Sequence, residues 1–60
     1  MASVEREALL IQAQTARDLA RRAKRQAERV THADDQGRLL SQAEQLIGRA
    51  EQLEAKAINL

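Results

Sequence analysis

His32 stands two and three residues ahead of Asp34 and Asp35, the densest gathering of metal-ligating side chains in the sequence. A divalent metal needs three or four ligands in converging geometry, and one imidazole beside two neighbouring carboxylates does not supply that. Cysteine is absent, which removes a thiolate zinc site and any disulfide. The hydroxyls of Ser3, Thr15, Thr31 and Ser41 have no base at a spacing that would activate a nucleophile. No glycine-rich run could cradle a phosphate. Glu44, Glu51 and Glu54 read as ionised surface carboxylates on a helix rather than as a paired acid and base. The expectation is therefore a chain with no catalytic residue, no metal and no cofactor, and not an enzyme.

A second kind of chemistry is electrostatic. Arg17, Arg21, Arg22, Lys24, Arg25 and Arg29 are opposed in their stretch only by Asp18 and Glu28, although the whole chain carries a net charge of only +1. Cations late in a helix complement the negative end of its dipole. The same cluster could reach phosphates. No aromatic residue is present to stack on single-stranded bases, so nucleic acid is not the expected partner. A homodimeric four-helix bundle holding RNA on this basic face is the alternative.

The elements that must position these groups are legible in two runs of small and aliphatic residues stepping four, three, four, three. One is Leu9, Ala13, Ala16, Ala20, Ala23, Ala27, Val30; the other is Leu39, Ala43, Leu46, Ala50, Leu53, Ala57, Leu60. Each is a heptad seam. Reversing the chain between them matches Val30 with Leu39, Ala23 with Leu46, Ala16 with Leu53 and Leu9 with Leu60, with Ala27/Ala43, Ala20/Ala50 and Ala13/Ala57 between. The nine-residue step from Val30 to Leu39 breaks the heptad phase, which disfavours one continuous helix. The fold class expected is all-α, an antiparallel two-helix hairpin with a coiled-coil-like, alanine-rich seam. It forms a single unit over residues 1–60, with helix 1 over about 4–30, a turn over about 31–36 and helix 2 over about 35–58. Ser3 is the expected cap of helix 1, with Glu5 and Glu7 in its first turn. Thr31 and Asp34 have the spacing of a capping box, and the bend falls within Thr31 to Gly37. Proline is absent and strong helix formers dominate.

An alanine seam brings helix axes close but buries little area per layer. Leu10, Ile11, Leu19, Leu40 and Ile47 fall outside it. The hairpin reads as an incomplete core, to be covered by a second copy or by an amphipathic helix of another protein. One edge would bring together Leu10, Arg17 opposite Glu54, Lys24 opposite Ile47, and Leu40. Leu10, Arg17, Lys24, Leu40, Ile47 and Glu54 are thus the expected partner-binding residues. They suit a helix with leucine anchors and acidic flanks. The other edge would pair Gln12 with Lys56, Leu19 with Arg49 and Gln26 with Gln42.

The stretch from Leu39 to Leu53 resembles the last helix of MIT (microtubule-interacting and trafficking) domains. The likeness lies in Arg49-Ala50-Glu51-x-Leu53, preceded by Leu46-Ile47 and by Leu39. Glu7-Ala8-Leu9 is similar to the start of that family's middle helix. The family is a three-helix bundle, and the resemblance implies capture of short C-terminal helices of ESCRT-III-type proteins between its last two helices, close to Leu40 and Ile47. It further implies a role in protein transport, peripheral to endosomal membranes; the cytoplasmic location expected here comes from the missing signal-peptide core and the absence of cysteine. The longest wholly apolar run is Ala8 to Ile11, so no bilayer-spanning segment is expected. Glu5, Arg6 and Glu7 interrupt any signal-peptide core.

Overall fold

The computed structural model describes residues 3–60 and consists of two helices, α1 (Val4–Arg29) and α2 (Ala33–Ile58), each of 26 residues. They lie antiparallel along one another in a rod measuring 49 × 14 × 9 Å. The protein is an all-α helical hairpin.

Ser3 caps α1: its extended backbone leads into the helix and its hydroxyl accepts from the Arg6 amide at 3.3 Å. Glu5 and Glu7 follow in the first turn, where negative charge faces the positive end of the dipole. The helix stops at Val30, whose extended φ and ψ (−84°, 135°) leave its amide bonded back to the Ala27 carbonyl.

The connection is tighter than the turn chemistry suggests. Only Val30, Thr31 and His32 lie between the helices, and His32 rather than Thr31 occupies the capping position of α2. His32 makes no side-chain cap bond, so the capping box of Thr31 and Asp34 does not form. Asp34 and Asp35 sit inside the first turn of α2, where the dipole favours them without a capping geometry. Gly37 is helical, so the bend lies before it rather than reaching it. Two side chains then close the helix ends across the hairpin. Gln36 Nε2 donates to the Ala27 carbonyl at 3.0 Å, and Arg6 Nε donates to the Ala57 carbonyl at 3.1 Å. Gln36 thus adds a second donor to the Ala27 carbonyl, which also accepts from the Val30 amide, and Arg6 supplies a donor to the Ala57 carbonyl in the last turn of α2.

The seam is the core. Ala13, Ala16, Ala20, Ala23 and Ala27 of α1 and Ala43, Ala50, Leu53 and Ala57 of α2 are buried, with Leu9, Val30, Leu39 and Leu46 half-buried along the same line. The buried residues form two clusters. Ala13, Ala16, Ala50 and Leu53 pack with Leu9, while Ala20, Ala23 and Ala43 pack with Leu46 and Ile47. Two expectations need correction. Leu60 follows the end of α2 at Asn59 and is half exposed, so the outermost Leu9/Leu60 layer is not sealed. Ile47 is drawn onto the second cluster and is half-buried rather than left outside the seam.

Candidate functional site

Arg17 and Glu54 each follow a seam residue, Ala16 and Leu53, which share one cluster. Antiparallel packing therefore sets them opposite, and they meet in a bidentate pair. Arg17 Nε donates to Glu54 Oε2 at 3.1 Å and an Arg17 terminal nitrogen donates to Oε1 at 2.7 Å. The two parallel hydrogen bonds hold the Glu54 carboxyl below its ordinary range and raise the Arg17 guanidinium above its own. The predicted pairing is present, but its consequence differs from a cationic rim. Arg17 and Glu54 neutralise one another and bridge the edge at its middle.

That bridge divides the expected partner-binding residues by their order along the helices. On the turn side lie Lys24, half-buried Ile47, and Leu40, which is 44% exposed. Toward the open end lies Leu10, 46% exposed, which lines a separate depression of about 240 Å3 with Arg6, Ala57 and Ile58. Lys24 has no ion-pair partner among the described residues. Leu40, Ile47 and Lys24 therefore form one short patch, and Leu10 belongs to another.

A further apolar depression lies on the other edge. Ile11, Gln12, Thr15, Ala16, Leu19, Leu46 and Arg49 surround an open depression of about 250 Å3. Leu19 and Leu46 continue it into a second, of about 240 Å3, with Arg22, Ala23, Gln26 and Gln42. Leu19 opposite Arg49 is visible in the heptad register. The half-buried state of Leu46, a seam residue whose side chain leaves part of itself in this groove, is not.

Beyond it, Arg22, Arg25, Gln26 and Arg29 line a further depression on α1 alone. None of these three arginines has an ion-pair partner among the described residues. Arg21 instead reaches back to Asp18, whose carboxyl is held low by hydrogen bonds from Arg21 and then Gln14. His32, Asp34 and Asp35 are all exposed, and among the described residues no three metal-ligating side chains converge. No described helix is long and apolar enough to cross a membrane.

No protein-family model, curated protein or solved structure matches the chain.

Proposed function

We propose that the hairpin is a non-enzymatic protein–protein interaction module that receives an amphipathic partner helix along the Leu40/Ile47 edge. The carrying observation is the edge itself: an exposed Leu40 two turns from a half-buried Ile47 anchored on the alanine core, with the ammonium of Lys24, which has no ion-pair partner among the described residues, at its rim. Helix-in-groove recognition uses this combination, aliphatic anchors set by helical spacing and a charged margin that selects the partner's flank. The partner that fits carries leucines about two turns apart, matching the seven-residue step from Leu40 to Ile47, and acidic residues beside them. The likeness of α2 to the last helix of MIT domains supports the same edge and points to ESCRT-III-type C-terminal helices in membrane trafficking as the partner class. On this reading the module acts in the cytoplasm, at endosomal membranes.

The test is titration of the intact chain with a synthetic helical peptide of an ESCRT-III-type C-terminus, read by calorimetry. Binding should be lost in Leu40→Asp, a substitution at an exposed position that leaves the helical circular dichroism unchanged. Equal affinity of wild type and Leu40→Asp, or no binding by either, refutes this reading.

A further inference from the structure

The outer face of α1, away from the seam, changes character halfway along. Val4, Ala8, Ile11 and Thr15 occupy its first half at helical spacing, and Val4 and Ile11 are 81% and 67% exposed. Arg22, Arg25 and Arg29 continue the same stripe in its second half, around a common depression and without ion-pair partners among the described residues. The outer face of α2 is the converse. Asp34, Glu44 and Glu51 occupy its first and middle turns, and Ala55 and Ile58, the latter 79% exposed, occupy its end. Overall α1 holds seven basic residues against four acidic, and α2 three against five.

We propose that the outer face of α1 binds the outer face of α2 of a second copy of this chain, the two helices antiparallel. The register follows from a shared spacing: Arg22 and Arg29 are seven residues apart, and so are Glu44 and Glu51. Antiparallel placement pairs Arg22 with the partner's Glu51 and Arg29 with the partner's Glu44. Arg25 then crosses at the partner's Gly48, where the absence of a side chain leaves open space beside the helix. Asp18, already held by Arg21 and Gln14, meets the partner's Ala55. The partner's Ile58 comes against Thr15, with Ile11 and Leu19 a turn to either side.

Exposed area supports an interface of this kind. The chain exposes 4803 Å2. A globular monomer of 6.7 kDa exposes about 3,900 Å2. The excess of about 900 Å2 covers the roughly 800 Å2 that one face contributes to one standard interface, and an interior copy of a repeating array would bury about twice that. Each copy presents one face of each kind, on opposite sides of the rod. The contact is therefore heterologous and repeats head to tail instead of closing as a two-fold dimer.

Sedimentation velocity of the full chain at low salt should show species larger than a dimer that grow with concentration and dissociate as salt rises. The double variants Arg22→Glu/Arg29→Glu and Glu44→Arg/Glu51→Arg should each sediment as monomers, and an equimolar mixture should regain assembly. Gly48→Gln, which meets open space within one chain, should keep full helicity and lose assembly. Leu40→Asp, on the other edge, should assemble like wild type, which separates this proposal from the helix-receiving one. A wild-type chain that stays monomeric throughout overturns the proposal, as does a mixture that fails to reassemble. So does a monomer whose Arg22 and Arg29 instead bind a single-stranded RNA oligonucleotide.

Discussion

Arg17 and Glu54 show how a surface pair becomes a pH-dependent contact. The folded-state pKa of Glu54 is depressed by its hydrogen bonds from Arg17, so the pair contributes fully above the ordinary carboxylate range. That contribution is lost as pH falls through the depressed value. Acidification should lower the melting temperature of wild type more than that of Glu54→Gln, measured by circular dichroism at matched salt. Asp18, held low by Arg21 and Gln14, acts in the same direction. Ser3 acts at the same scale through one hydrogen bond. Ser3→Ala should destabilise the chain by about 1 kcal/mol, which in a domain this small lowers the melting temperature by roughly 4–8 °C.

At the scale of the helix, the seam works through smallness. Ala50 is fully buried on the seam, packed with Ala13, Ala16 and Leu53, and close-packed interiors tolerate added volume poorly. Ala50→Leu should force the helices apart and destabilise the hairpin by about 1–3 kcal/mol, read by chemical denaturation. Gly37 asks the opposite of its helix. It is helical, its φ is not positive, and a Cβ there meets nothing within 4 Å. Gly37→Ala should therefore stabilise α2 by about 0.5–1 kcal/mol in the same measurement. The short link of Val30, Thr31 and His32 is braced by Gln36, which donates to the Ala27 carbonyl, while Arg6 ties the helices at the opposite, open end. Replacing Gln36 with Ala should fray the last turn of α1, seen as faster amide hydrogen exchange near Ala27.

For the molecule as a whole, a single buried leucine and eight buried alanines among the described residues make a slender core. Sixty residues already lie below the roughly 70–80 at which one core usually suffices unaided. Burial of Ile11, Leu19, Leu40 or Ile58 by a partner would add what the hairpin itself lacks. The melting temperature should accordingly rise with protein concentration, because association of folded chains stabilises them by mass action. A melting temperature independent of concentration would show that the hairpin is stable alone.

Sequence by itself determined the two helices, their antiparallel sense and the opposition of Arg17 to Glu54, because a four-three repeat of small residues admits one packing line per helix. It also marked Leu10, Leu19 and Leu40 as lying off that line. Tertiary structure decided the rest. The chain reverses at Val30–His32 because the carboxylates of Asp34 and Asp35 are accommodated inside the first turn of α2, a choice that propensity leaves open. Ile47 folds onto Ala20, Ala23 and Ala43 because close alanine packing leaves room for a flanking side chain to lean inward. Leu60 falls outside because α2 ends before its layer is reached. The Arg17–Glu54 bridge, compatible with the heptad pattern, divides one expected edge into two patches only when both side chains extend across the seam.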